Sequence, residues 1–253
     1  MADNIVAARP ASAVVLARPG ARGGIEVYMV RRHIRSEFVP DAFVFPGGSV
    51  GKDDIATESI ADLCAPVPDG PVTLGTGFRL AAIRECFEEA GVLLARRDSE
   101  PLAISESDVA RFSSYRTAVY SQARSFADLA RAEGLTFATD DLIHWAHWVT
   151  PERFPKRFDT HFFLAAMPLR QTAAHDRLET TDGVWIAPEV ALERFHSGLF
   201  PIVFATIHQL GALTGFDSIE TLFTTFEGRP VTSVRPVVIE RDGQDVIVIP
   251  EPK

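Results

Sequence analysis

The stretch FRLAAIRECFEEAGVLLARR, residues 78–97, constrains the fold of this chain more than any other. Leu80, Ile83, Phe87, Ala90 and Leu94 recur at three- and four-residue spacing, the period of a helix with one face in a core. At about 100° per residue, Glu85, Glu88 and Glu89 fall on the other side within an arc of roughly 100°. The spacing predicts a helix over 78–97 with one face to be covered and one that is densely anionic. Glu85 and Glu89 are like charges at i,i+4, which destabilises an isolated helix, and no lysine in the stretch relieves it. A hard divalent cation reverses that penalty, because Mg²⁺ takes carboxylate oxygens, keeps several waters and bridges to substrate phosphates. A solvated acidic surface is the plain alternative.

Around this helix, SAVVLA (12–17) and IEVYMV (25–30) read as strands about the glycine-rich turn RPGARGG. AFVFPGGSV reads as another short strand, broken at Pro46-Gly47-Gly48. Residues 51–77, rich in Gly, Pro and Asp, form a long excursion with one short helical candidate, IADLCA. Residues 105–134 are helical in pattern, opened by Ser105 with Asp108 three residues on. IHWAHWVTP, THFFLAAMP and DGVWIAP read as strands. PEVALERFHSG starts with Pro and stops with Gly, as a short helix should, and PIVFATIHQLGAL is a further apolar helix. VVIERDGQDVIVI is a hairpin about a DG turn. Strands and helices alternate without a regular βαβ period, which predicts an α/β fold with a mixed sheet and helices on its faces. Residues 1–253 are expected to form one domain.

With 46% hydrophobic residues the chain can bury a sizeable core. Its net charge of −9, with no basic stripe to offset it, argues against nucleic acid as a partner. A small phosphorylated ligand stays open, since local arginines or a bound cation override the global sign. Cys64 and Cys86 do not make a disulfide scaffold in a chain this long, so a reducing compartment is expected. The first 20 residues make a poor signal peptide, and no run approaches the ~18 apolar residues of a membrane span. The expectation is a soluble, cytoplasmic protein. His144 and His147 have no Cys or third His near them in sequence, so packed or hydrogen-bonded histidines are expected there rather than zinc ligands. Cys86 reads as core. No P-loop or G-x-S-x-G occurs, and GTGFRL (75–80) lacks the third glycine of a dinucleotide loop.

Arg84-Glu85-Cys86-Phe87-Glu88-Glu89-Ala90-Gly91-Val92 matches R-E-U-x-E-E-x-G-U, with U bulky and apolar, and so resembles the second half of the Nudix box. The first half, G-x5-E-x7 before the Arg, is met by Gly48 and, six residues on, by Asp54, which is shorter than Glu. Residues 55–83 then fill 29 positions in place of seven, an insertion of 22. This interrupted box resembles the coenzyme A diphosphatase branch of the Nudix hydrolases. MVRRHIRSEFVPDAFVFPGG, RFDTHFFLAAMP and DGVWIAPEVAL are similar to further segments of that branch. The resemblance runs from about residue 12 to the C-terminal strands.

The resemblance implies a Nudix α/β/α sandwich enlarged by the box insertion (about 55–77) and by the helices at about 105–134. It implies attack of water on the P–O–P link of a nucleoside diphosphate joined to another group, with Mg²⁺ or Mn²⁺. The best-matched substrate is coenzyme A or acyl-CoA, cut to 3′,5′-ADP and (acyl-)phosphopantetheine. A hydrolase of ADP-ribose, NADH or general nucleoside diphosphates is one rival. A non-catalytic nucleotide-binding module is another, although such a module is expected to lose box glutamates. By the same carry-over Glu85, Glu88 and Glu89 are metal ligands, joined by the carbonyl of Gly48, and Glu85, Glu88 and Arg84 are catalytic. Arg84 is expected to point away from the ligand set by helical phase and to pair with Asp54. The general base comes from a downstream loop; Glu179, just before a strand, is the choice, ahead of Glu85, Glu152, Asp159 and Glu189. Arg31, Arg32 and Arg157 are candidates to clamp substrate phosphates, because Arg pairs bidentately with them. Strand alternation lets at most one of Arg31 and Arg32 face the site. Phe45 is a further substrate contact. The 105–134 helices, with Tyr115, Tyr120 and Phe126, form a packing cap or else a lid over an adenine or acyl chain. A homodimer is in keeping with the family, though no segment identifies an interface.

Overall fold

The structure, a computed structural model, describes residues 5–36, 38–55, 60–67 and 75–250. It opens with β1 (Arg9–Pro19), β2 (Ile25–Arg32), β3 (Phe43–Val44), β4 (Gly47–Ser49) and a four-residue helix α1 (Lys52–Ile55). Then come α2 (Thr76–Ala90), β5 (Ala95–Arg97), β6 (Glu100–Pro101), α3 (Val109–Tyr120), α4 (Phe126–Glu133) and β7 (Thr136–Phe137). β8 (Ile143–Val149), β9 (Phe158–Ala166), β10 (Thr180–Ile186), α5 (Pro188–His196), α6 (Phe204–Ala212) and α7 (Ile219–Phe226) follow. The described chain closes with β11 (Ser233–Val234) and the hairpin β12 (Val237–Arg241) and β13 (Gln244–Val248).

The main sheet runs β10-β2-β1-β9-β8-β11, with β3 on β2 and β4 on β1. β1 and β9 are parallel while β1–β2, β2–β10 and β8–β9 are antiparallel, so the sheet is mixed. Its two faces follow from the two-residue period of strands. Val14, Leu16, Tyr28 and Val30 point to one core, where they meet Leu80, Ile83, Cys86 and Phe87 of α2 and Phe112 and Leu129 of α3 and α4. Val15, Ala17, Val27 and Met29 point to the other, beneath Ala191, Leu210 and Leu222 of α5, α6 and α7. Both sheet faces are therefore apolar and both are covered, the α/β/α sandwich that the alternating elements predict.

Two sequence expectations need correction. The helix of 78–97 ends at Ala90, because Gly91 takes a left-handed φ of 69° and its N–H closes on the Phe87 carbonyl at 3.0 Å. Leu94 continues the apolar spacing from extended chain instead; the side chain of Gln171 ties down Leu93 by accepting from its N–H and donating to its carbonyl, both at 2.9 Å. IADLCA gives only a 3₁₀ turn at Ala61–Leu63. The helices expected at 105–134 are α3 and α4, separated by residues 121–125, with Ser125 capping α4 through the Asp128 N–H at 3.1 Å. α7 and the small β6-β5-β7 sheet have no counterpart in the sequence reading. Residues 56–59 and 68–74 of the expected insertion lie outside the described residues. Among the described residues no helix is long and apolar enough to cross a membrane.

Candidate active site

β4 pairs antiparallel with the start of β1, Ser12 opposite Gly48, and this lays the Gly47-Gly48 backbone along α2. The Gly47 N–H donates to Glu89 Oε2 at 2.9 Å. At Gly48 a β-carbon would lie 2.6–2.8 Å from the carboxylate atoms of Glu85, so only a glycine leaves room for that carboxylate. Glu89 is 3% exposed, and Glu85 and Glu88 are mostly covered. The acidic face predicted for α2 is thus not a solvated surface but a desolvated one, pressed against a glycine turn.

Arg84 organises this face. Its Nε and Nη2 donate to the two oxygens of Asp54 at 3.0 and 2.9 Å, a bidentate pair in which Asp54 is 3% exposed. Its Nη1 donates to Glu85 at 2.9 Å and to Glu88 at 3.2 Å, and its Nη2 also reaches the Ser49 carbonyl. The pairing with Asp54 therefore forms despite the insertion and the shorter acid. Close packing of α1 makes up the missing length: a β-carbon at Gly77 would stand 2.9 Å from the Asp54 carbonyl, so the two backbones meet where Gly77 has no side chain. The expectation that Arg84 points away from the glutamates is wrong. Four residues advance a helix by about 400°, only about 40° past a full turn, so Arg84 and Glu88 are neighbours.

Burial dominates the electrostatics. It pushes Glu85 up to about 7; Arg84 pulls the other way, while Glu88 and Asp54 add to the rise. Burial likewise raises Glu88 against the pull of Arg84. Glu89 is raised well above the ordinary carboxylate range by burial and by Glu85, with the Gly47 N–H and Arg32 opposing. The three carboxylates hold more negative charge than Arg84 and Arg32 offset.

The site opens on a cavity of about 1310 Å³. Arg84, Glu85, Glu88 and Gly48 form one wall, and Trp148, Phe158, Phe162 and Phe204 an apolar one. Of the two adjacent arginines, Arg32 lines the cavity with its Nε buried and unpartnered among the described residues, whereas Arg31 turns to Asp41 at 3.1 Å. The phosphate-clamp expectation for Arg31 is corrected accordingly. That for Arg157 is corrected too: it is 7% exposed, absent from the cavity wall, and donates to the carbonyls of Thr150 at 3.1 Å and Val6 at 2.6 Å. Its donors hold the N-terminal segment to the β8–β9 connection. Phe45 is buried and lines the cavity. Glu179 also lines it and receives the Tyr120 hydroxyl at 3.3 Å; its charge adds to the rise at Glu88 and Glu89, so it faces the triad.

Several cavity residues escaped the sequence reading, among them Ser12 and Arg124. Ser12 is fully buried, lines the cavity and has no partner for its hydroxyl among the described residues. Arg124 reaches the cavity from the α3–α4 connection. The α3–α4 unit is mainly a packing cap, through Phe112, Val119, Phe126 and Leu129, but it also delivers Tyr120 and Arg124. Arg116 of α3 donates to the Glu88 carbonyl at 2.8 Å and so helps cap the last turn of α2. Cys86 is buried beneath the triad, where burial pushes its thiol up to about 12, which suits core and not a nucleophile.

Comparison with known proteins agrees with this fold. A crystal structure of a Nudix hydrolase from Alicyclobacillus acidocaldarius superposes with a TM-score of 0.74 at 28% identity, covering 89% of this chain and 100% of that one. The Gallus gallus acyl-coenzyme A diphosphatase NUDT19 is 29% identical over 264 residues, 85% of this chain and 70% of that protein. The Homo sapiens protein of that name is 27% identical over 273 residues, 91% and 72% of the two chains. A Caenorhabditis elegans protein with a nudix hydrolase name is 27% identical over 206 residues, and this chain spans only 60% of its length. The sequence profile of the NUDT19 Nudix domain matches residues 66–211, from within the insertion to α6. That match covers more than half of the sequence, and the chain belongs to the NUDT19 Nudix domain family, within the Nudix hydrolases.

Proposed function

We propose that this chain hydrolyses the pyrophosphate bond of coenzyme A or an acyl-CoA, using Mg²⁺ or Mn²⁺, to give 3′,5′-ADP and (acyl-)phosphopantetheine. One observation carries the reading: Glu85 and Glu88 line a large cavity with the buried Glu89 beside them, and burial raises the proton affinity of all three against the pull of Arg84 and Arg32. An all-oxygen, anionic donor set of this kind suits a hard divalent ion. Glu85, Glu88 and Glu89 with the Gly48 carbonyl would hold it; when bound, it would neutralise the diphosphate, stabilise the leaving phosphate and acidify a water.

The chain's own groups supply the rest. Arg84 aims Glu85 and Glu88, and the Gly47 N–H aims Glu89, so the ligand set is preorganised. Arg32 offers its guanidinium to a substrate phosphate from the same wall. Glu179, facing the triad across the cavity, is placed to take the proton of the attacking water, with Tyr120 orienting its carboxylate. The aromatic wall suits the base and the acyl-pantetheine arm. The names of the chicken and human relatives support the same substrate class.

Incubation with coenzyme A, acyl-CoAs, ADP-ribose and NADH in Mg²⁺ or Mn²⁺, followed by product analysis, tests this. A CoA compound should be cut fastest, releasing 3′,5′-ADP. Cleavage of ADP-ribose far ahead of every CoA compound would remove the substrate assignment.

Metal binding should also leave a signature in pH. Glu85 sits near 7 in the metal-free fold against 4.5 when unfolded, so its protonated form favours the fold below 4.5 and that benefit is lost as pH rises through 7. His144 and His161, both lowered by burial to about 4, act in the opposite sense and are complete above about 6.5. Between pH 6.5 and 8 the metal-free melting temperature should therefore fall, and the rise produced by Mn²⁺ should grow. A pH-independent metal shift would contradict the assignment.

Gly48→Ala tests the close approach. The three atoms nearest the new methyl all belong to the movable end of Glu85, so the melting temperature should change little. The displaced carboxylate should lower kcat/KM by about 100-fold, as misplacement by an ångström does. Unchanged kinetics would mean that Gly48 and Glu85 are not part of one site.

A further inference from the structure

One cluster of metal-ligating side chains takes no part in this chemistry. β9 alternates: Phe158, Thr160 and Phe162 point to one face of the sheet, and Asp159 and His161 to the other, the face that α2 covers, where His161 stands beside Ser12 of β1; none of His147, Asp159 and His161 lines the cavity. On β8, His147 stands directly across from His161, and Val149 across from Asp159. His147 is thus diagonal to Asp159, and its Nε2 contacts Asp159 Oδ1. The His147 and His161 rings stack at 3.9 Å, 14° from parallel. One ligand atom from each of His147, Asp159 and His161 lies within 4.8 Å of the other two. A register shift between His144 and Ala146 brings His144 to the same cluster, its Nε2 3.0 Å from His161 Nδ1. Phe78, in the first turn of α2, packs edge-on against His161 at 4.7 Å.

We propose that His147, Asp159 and His161 form a second metal site, selective for Zn²⁺ and separate from the glutamate site. Two imidazoles and one carboxylate suit this borderline ion, as three carboxylates suit Mg²⁺ or Mn²⁺. Bonds of about 2.0–2.1 Å to a tetrahedral ion set the ligand atoms roughly 3.3 Å apart. His147 and Asp159 are both partly exposed, which leaves their side chains room to rotate toward that spacing. His161 would bind through Nε2, since its Nδ1 faces His144; an outer partner of this kind fixes the tautomer and the ring. Asp159 is 37% exposed, so the fourth position faces solvent. The ion would pin β8 to β9 beneath the first turn of the glutamate-bearing helix.

The full chain, stripped with EDTA and then saturated with Mg²⁺, is titrated with Zn²⁺ by calorimetry and with Co²⁺ by visible absorption. The wild type should bind one Zn²⁺ at micromolar affinity or better and show the strong d–d bands of four-coordinate Co²⁺. Glu88→Gln should bind both ions unchanged. His147→Ala and the near-isosteric Asp159→Asn should each weaken Zn²⁺ by at least about 100-fold, and His144→Ala by about 10- to 100-fold. Circular dichroism checks that each variant is folded, and Asp159→Asn decides if His147→Ala is not. Two results would overturn the site: no Zn²⁺ bound by the wild type below millimolar, or Zn²⁺ lost with Glu88→Gln and kept with Asp159→Asn.

Discussion

Glu88→Gln should lower turnover by about 100- to 1,000-fold, the loss that follows removal of one preorganised charged group from a desolvated site. Its metal-free fold should be at least as stable as the wild type. The side chains are nearly isosteric, and the amide oxygen can still accept from Arg84, now at 3.2 Å from Glu88. Charge alone changes. In the metal-free protein that charge is a liability: burial raises the proton affinity of Glu88, and Glu88 in turn raises that of Glu85. Losing it relieves the fold and removes an anionic ligand, so stability and activity should part company, as they do where function requires strained electrostatics. Steady-state kinetics with Mn²⁺, together with melting in EDTA and in Mn²⁺, read both. A rate within twofold of wild type would take the acidic face out of the reaction. A metal-free melting temperature several degrees lower would mean that Glu88 is structural.

Local chemistry explains which features were legible in the sequence. The acidic face of α2 and its covered face are both written in a 3.6-residue period within one element, and two glycines after Pro46 mark the turn beside it. The faces of β1 and β2 follow from alternation in the same way. Features that need a second element were not legible. Arg157 looks like a phosphate clamp until its acceptors appear, and these are carbonyls of Thr150 and Val6, one of them from the far end of the chain. His147 acquires Asp159 and His161 only through the register of β8 on β9, which no spacing in either strand reveals. Arg84 is a different case. Its angular position was readable, since i and i+4 lie close on any helix, but a long side chain with five donors can serve several carboxylates at once. The overrun of α2 past Gly91 has a similar lesson: Leu94 kept the apolar period because it enters the same core from extended chain.

Arg84→Met should be the most destabilising single change near the site, by about 3–5 kcal/mol, because it leaves one member of a buried ion pair without its partner. Among the described residues, Asp54 would keep only the Gly51 N–H, at 2.7 Å, while 3% exposed. At roughly 2–4 °C per kcal/mol for a chain of this size, the melting temperature should fall by roughly 10 °C. Asp54→Asn is the informative companion. A buried pair replaced on both sides often costs little, so the double variant Arg84→Met/Asp54→Asn should be more stable than Arg84→Met alone. Recovery in the double variant should stop at the fold. Arg84 also donates to Glu85 and Glu88, and without those two hydrogen bonds the carboxylates lose their aim and the cation that moderates their repulsion. Turnover should therefore stay low in the double variant even where its melting temperature returns. Denaturant melts of the four proteins, scored as a double-mutant cycle beside kcat/KM, separate the two roles. If the single losses simply add, Arg84 and Asp54 are not a coupled pair; if turnover returns with stability, Arg84 only holds α1 to α2.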